Sequence, residues 1–262
     1  PLQPTCGLRP RATTTMSEEI RATESCSDGQ CASRPKLLDC HTHSHEVGCQ
    51  AIRSLTYTEW SDDITVEEGQ LYSIGFHPWS LPPAGSLVAL IDQMQSRLSS
   101  TPQIVAVGEC GVDKVRSNAT LSEQLVWLEA QMRLACQLDR PILLHAVRAW
   151  AEMIEIRSQM AQELAQLPPM VLHGFRARGE VAQMMLSKGF VLSFGRRYDA
   201  EALHLAYEAK AILVETDEIP NGLTHREAIE AVYAHLAEQL SITPELLASQ
   251  VAETSFWQQT LR

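Results

Sequence analysis

PILLHAVRAWAEMIEIRSQMAQELAQLPPMVLHGF, residues 141–175, reads as a strand, a helix and a second strand in succession. PILLHAV (141–147) and MVLHGF (170–175) are short, nearly continuous apolar runs, the pattern of strands covered on both faces. Between them, WAEMIEIRSQMAQELAQL (150–167) has helical periodicity, and Pro168 and Pro169 stop it. Strands joined through such a crossover lie parallel.

The same rhythm extends in both directions. The apolar runs are KLLDC (36–40), AIRSLTY (51–57), LYSIGF (71–76), IVAVGEC (104–110), the two above, FVLSFG (190–195) and AILVET (211–216). Helical stretches fall at 121–138, 179–189, 201–210, 225–240 and 244–261. Eight strands in about 225 residues predict a (β/α)8 TIM barrel, with an open doubly wound sheet as the rival. Few residues separate the first run from the second, so the barrel is expected to be abbreviated between its first two strands.

Lys and Arg number 21 and Asp and Glu 32, a net charge of −11, which argues against a general nucleic-acid coat. The 45% hydrophobic content excludes wholesale disorder. No apolar run approaches the roughly 20 residues of a membrane span. The seven cysteines show no CxxC spacing, and Cys110 and Cys136 sit in apolar surroundings; a reducing, cytoplasmic location follows. Residues 1–35 lack periodicity and a secretory apolar core. They read as a disordered leader or an over-extended start, with a transit peptide as the alternative, and residues 36–262 as the barrel.

Five of the nine histidines, His41, His43, His77, His145 and His173, lie at or just past the ends of apolar runs. Glu109 lies near the end of the fourth run, and the eighth leads through Glu215 to Asp217. In a barrel those ends share one rim, where active sites are built. Any one of these histidines alone reads as a buried, hydrogen-bonded group, and Asp39 as a strand-end hydrogen-bonding group. Together they read differently, because burying several imidazoles with two carboxylates is costly without a cation. The alternation of His41-Thr42-His43 turns both imidazoles to one side. Imidazole and carboxylate donors without thiolate suit zinc, manganese, iron or magnesium. With this many donors two ions fit, a pair that activates water and clamps both oxygens of an in-line displacement.

In order, LLDCHTH, SIGFHP, VAVGECGVDK, PILLHAV, VLHGF, LSFG and ILVETDE resemble the successive signatures of the TatD family of metal-dependent hydrolases and deoxyribonucleases, within the amidohydrolase-like barrels. The resemblance runs from about residue 37 to the C-terminus. It implies that His41, His43 and Asp217 hold one divalent ion, that Glu109 bridges to a second held by His145 and His173, and that Asp217 or the water it orients acts as base. His77 and Glu215 would shape the site, and Asp113 would have a structural or substrate-orienting role. Arg148 and Arg176 are candidates for phosphate contact. GVDK, HAVRAW and HGFRAR depart from the commoner patterns and resemble a compact branch.

The expected function is a two-metal DNA phosphodiesterase (Mg, Mn or Zn) acting from a 3′ end, with no membrane and no obligate protein partner. An amide, ester or lactone hydrolase on the same centre is the alternative. A non-catalytic barrel that binds a partner is the third reading.

Overall fold

The computed structural model describes residues 36–62, 66–164 and 166–262; the expectation for residues 1–35 lies outside them. Eight parallel strands form one sheet in chain order: β1 Leu38–Thr42, β2 Gln50–Leu55, β3 Leu71–Ile74, β4 Ile104–Asp113, β5 Ile142–Val147, β6 Met170–Leu172, β7 Val191–Phe194 and β8 Ile212–Val214. The segment after β8 returns to β1 through a parallel bridge between Thr42 and Asp217. Asp217 N–H donates to the His41 carbonyl (3.1 Å) and His43 N–H to the Asp217 carbonyl (3.0 Å), which brings the cylinder to closure. The TIM-barrel expectation holds, and the open sheet is set aside.

The helices are α1 Tyr57–Trp60, α2 Leu87–Ser100, α3 Leu121–Gln137, α4 Trp150–Glu163, α5 Gly179–Ser187, α6 Ala200–Glu208, α7 His225–Gln239, α8 Pro244–Ala252 and α9 Ser255–Thr260. α3 and α7 begin at capping boxes, Thr120 with Glu123 and Thr224 with Glu227. Pro244 opens α8 at a position where its missing N–H costs nothing. The expected abbreviation is present: residues 43–49 join β1 to β2 without a helix, and only the short α1 follows β2.

Three details differ from the sequence reading. α2 was not anticipated. The helix expected over 150–167 ends at Glu163, with Leu164 and Leu167 leaving it to pack against the core before the two prolines. The last helix divides in two at Glu253–Thr254, where the Thr254 hydroxyl donates to the Val251 carbonyl (2.7 Å) and the chain turns to bury Phe256 and Trp257.

One face of α3 positions two strand ends. Gln124, Trp127 and Gln131, spaced three and four apart, all point inward and are buried. Gln131 Oε1 accepts from the Phe76 N–H (2.6 Å) and its Nε2 donates to the Phe76 carbonyl (3.3 Å). Gln124 Oε1 accepts from the Asp113 N–H (2.8 Å). Trp127 packs on Phe76, centroids 4.8 Å apart. Two glutamines thus supply partners to backbone just where β3 and β4 deliver His77 and Asp113. Replacing Gln131 by Leu strands the Phe76 N–H and C=O in a dry interior, and a loss of about 1–3 kcal/mol is expected in urea unfolding, with a smaller loss for an exposed glutamine such as Gln159.

Candidate metal centre

The barrel is irregular where it presents its polar groups. β1 slips register between Asp39 and Thr42, around His41, and β4 slips against β5 between Val107 and Cys110, around Glu109. Such bulges re-aim side chains. Glu109 was expected near the end of its strand, but β4 continues to Asp113, paired with Val147 of β5. That close run depends on Gly111, at φ +154°, where a Cβ would strike the backbone of His145.

Glu109 is the centre of the cluster. Its Oε2 lies 3.0 Å from His43 Nε2 and 3.5 Å from His41 Nε2. Its Oε1 lies 2.7 Å from His173 Nε2, 3.5 Å from His77 Nε2 and 3.6 Å from His145 Nδ1. Five imidazoles from four strand ends therefore share one buried carboxylate. Asp217 Oδ1 stands 3.5 Å from His41 Nε2 and 3.9 Å from His43 Nε2. Glu215 is buried behind, its Oε1 3.8 Å from His173 Nδ1. Three donor sets lie close enough to share an ion: His41, His43 and Glu109; His41, His173 and Asp217; and His77, Glu109 and His145. His145 Nδ1 and His173 Nε2 are 3.2 Å apart.

Burial opposes charge on Glu109, yet the His173 and His41 imidazoles outweigh it and hold the carboxyl well below the usual range. Asp217 is likewise opposed by burial but brought down to about 2, chiefly by His41. Both acids are thus biased toward the ionised form by the imidazoles around them. His41 is fully buried, and neither of its ring nitrogens has a hydrogen-bond partner; His173 Nδ1 is also unpartnered. Buried polar atoms without partners are rare and costly. Here they face carboxylates at 3.5 Å and beyond, and imidazole and carboxylate donors without thiolate fit a divalent cation.

A supporting shell fixes the rings. Asp113 accepts from the Val115 and Arg116 amides (2.7 and 2.9 Å) and from the Trp79 indole (2.6 Å), and its Oδ2 lies 3.2 Å from His145 Nε2. His145 Nδ1 is thereby left facing Glu109. The Trp79 amide donates to His77 Nδ1 (3.2 Å), which places the ring proton on Nε2, toward Glu109. Asp39 accepts from the His41 amide (3.1 Å), the Thr216 amide and hydroxyl (3.2 and 2.7 Å) and His225 Nε2 (2.9 Å), in agreement with its reading as a hydrogen-bonding group. Gly48 N–H donates to His225 Nδ1 (3.0 Å) and so fixes that tautomer. The sequence reading did not identify Trp79 or His225. For Trp79 the available signal was its place two residues past His77; His225 carries none.

Two clefts flank the acids. One, of about 330 Å³, is lined by Tyr57, Phe76, His77, Trp79, His43 and Glu109 among others. The second, of about 300 Å³, is lined by Arg176, Arg196, Arg197, Glu215, Asp217 and Glu218 among others. Arg176 Nη2 is 3.8 Å from Asp217 Oδ2, whereas Arg148 is exposed and lines neither cleft.

The profile of the family described as TatD related DNase matches residues 38–256. The chain belongs to the TatD family. A Citrobacter koseri protein named 3′-5′ ssDNA/RNA exonuclease TatD is 30% identical over 183 residues, 64% of this chain and 66% of the relative. An Edwardsiella piscicida protein of the same name is 32% identical over 148 residues, 54% and 53% of the two chains. The chain thus spans about half to two thirds of the length of these TatD relatives. Among solved structures, the TatD homologue YjjV from Escherichia coli superposes with a TM-score of 0.68 at 20% identity, covering 87% of this chain and 99% of its own. A TatD family hydrolase from Entamoeba histolytica gives 0.61 at 12%, covering 86% and 97%. At those identities the TatD structures speak for the barrel.

Adding Mn²⁺ or Zn²⁺ to chelator-treated protein is expected to raise the melting temperature, since an ion at a hundred times its Kd adds about 2.7 kcal/mol to the folded state. His41→Ala should lose most of that shift. Differential scanning fluorimetry with and without EDTA checks both.

Proposed function

We propose that this TatD chain is a divalent-metal-dependent phosphodiesterase that removes nucleotides from the 3′ end of single-stranded nucleic acid, DNA foremost. The observation that carries the reading is the convergence of five imidazoles on the buried Glu109, between an aromatic cleft and an arginine-lined one. Aromatic rings stack nucleobases and guanidinium groups fork onto phosphate oxygens. The relatives named as 3′-5′ ssDNA/RNA exonucleases support the same substrate class.

In this reading two ions (Mg, Mn or Zn) would be held by His41, His43, Glu109 and Asp217 on one side and by Glu109, His145 and His173 on the other. When bound, such ions lower the pKa of water and draw charge from phosphoryl oxygens. The residues of the chain do the rest. Glu109 fixes the rings of both sides on one anion. Asp217, ionised and turned by its Oδ2 toward Arg176, accepts a proton from the attacking water. His77 Nε2 faces Glu109 Oε1 at 3.5 Å and helps hold its orientation, while Asp113 and Trp79 keep His145 Nδ1 aimed inward. Glu215 backs His173. Arg176 takes up phosphate charge; Arg148, exposed and lining neither cleft, remains a proposed contact only for a longer strand. Cys40, Cys49, Cys110 and Cys136 are free thiols, which supports a reducing compartment, and we place the protein in the cytoplasm on that ground. Among the described residues, no helix is long and apolar enough to cross a membrane.

Purified protein with Mg²⁺ or Mn²⁺ is expected to shorten 5′-labelled single-stranded DNA, and Glu109→Gln or Asp217→Asn to slow single-turnover cleavage by about 10²–10⁴-fold with an unchanged far-UV spectrum. Wild-type cleavage no faster than that of His145→Ala would overturn the phosphodiesterase reading, and a panel of esters, dipeptides and lactones would then test the carbonyl alternative.

A further inference from the structure

The second cleft stands out against the charge of the molecule. The chain carries 32 acidic and 21 basic residues, and several arginines are paired: Arg53 with Glu59, Arg133 with Glu129 and Glu163, Arg226 with Glu230. Arg196 and Arg197, side by side just past β7, are exposed and form no ion pair or side-chain hydrogen bond among the described residues. Their guanidinium donors are therefore unused within the described residues and available to an anion. Arg176, past the neighbouring β6, adds a third on the same wall. Of the carboxylates there, Glu215 faces His173 and Asp217 stands between His41 and Arg176, which leaves Glu218, itself exposed. Gly174 and Gly195 leave the floor at the ends of β6 and β7 without side chains.

Arg176 fixes the distance to the chemistry, its Nη2 lying 3.8 Å from Asp217 Oδ2. Arg196 and Arg197, past β7, line the same cleft as Arg176 and Asp217 and so offer a seat for a phosphate other than the one at Asp217. We propose that Arg176, Arg196 and Arg197 form a second phosphate subsite, which binds the phosphate next to the one being cleaved. The subsite rests on the phosphodiesterase reading above and deepens it: the preferred substrate is a strand with at least two consecutive phosphodiesters. Guanidinium forks suit the non-bridging oxygens of such a linkage, and in an acidic protein they concentrate attraction at the one place a polyanion must enter.

The test pairs protein and substrate changes. Binding of a short 5′-fluorescein oligothymidylate with phosphorothioate linkages is followed by anisotropy against salt, for wild type, the Arg196→Ala/Arg197→Ala double variant and the corresponding double Lys variant. Each lost phosphate contact lowers the log–log salt slope by about 0.7, so the Ala pair, which gives up one phosphate, is expected to lower it by about 0.7, and the Lys pair to retain most of it. A second oligonucleotide carries one uncharged methylphosphonate at the linkage adjacent to the terminal one. It is expected to bind wild type about tenfold more weakly and to bind the Ala variant no more weakly than the fully charged strand does. Equal, additive losses in both proteins, or an unchanged slope, overturn the subsite. Wild type that cleaves the strand while showing additive losses overturns the subsite alone; wild type that neither binds nor cleaves it overturns the phosphodiesterase reading and the subsite with it.

Discussion

The seam of the barrel is a pair of backbone hydrogen bonds, Asp217 N–H to the His41 carbonyl and His43 N–H to the Asp217 carbonyl. They join the first strand to the segment after the last, and they do so through the residues that carry the polar cluster. Closing the cylinder and bringing His41, His43 and Asp217 together are therefore one event. Asp39 reinforces it from behind. Its carboxylate accepts from the amides of both His41 and Thr216, one on each side of the seam, and His225 of α7 holds that carboxylate in turn. Burial pushes the Asp39 carboxyl up, against the pull of His225 and Thr216, so the seam is tied by a group with few alternatives to these partners.

This coupling places a cost on the fold that the ligand-binding reading explains. His41 is packed at the seam with both ring nitrogens unpartnered, and Glu109 is an ionised carboxylate in a buried bulge. A core evolved for stability alone would avoid both. Sites that hold a cation tolerate them, since the charge arrives with the ligand and its binding free energy adds to the folded state.

Much of this was legible in the sequence because the relevant signals are periodic or positional. Continuous apolar runs broken by helical stretches specify a parallel barrel, and parallel strands place their C-terminal ends on one rim, so polar residues at the ends of such runs can be grouped without knowing a single contact. The alternation in His41-Thr42-His43 was enough to set both rings on one side, and both reach the same oxygen of Glu109. What could not be read depends on geometry without a sequence period. The register slips around His41 and Glu109 come from local pairing of β1 with β2 and β4 with β5. The role of Gly111 is visible only once His145 is known to lie against it. Gln124 and Gln131 look like ordinary helical residues, since nothing in their spacing says that they turn inward to satisfy strand ends. Arg196 and Arg197 gain meaning only from lining the same cleft as Arg176 without an ion pair of their own among the described residues, which is a property of space and not of order along the chain.

The abbreviated side of the barrel connects the fold to the shape of the site. A complete barrel would place a full crossover helix after each of the first two strands. Here residues 43–49 join β1 to β2 directly, and only the four-residue α1 follows β2. Ser54 and Thr56 at the end of β2, and Tyr57 in α1, consequently line the aromatic cleft instead of lying under a longer connection. Tyr57 packs on Phe76 (5.3 Å between centroids) and Trp79 on His77 (4.6 Å), so the wall of that cleft is rigid and aromatic from both β2 and β3. In the second cleft, Gly174 and Gly195 lie just past β6 and β7, with Arg176 two residues beyond the first and Arg196 and Arg197 directly after the second. The two halves of the rim thus differ in kind, apolar and stacking where helices have been shortened, cationic where the barrel is complete. A strand of nucleic acid, the proposed substrate, has the same asymmetry, with bases along one side and phosphates along the other, and it would cross this rim in only one orientation if each side is to meet its complement.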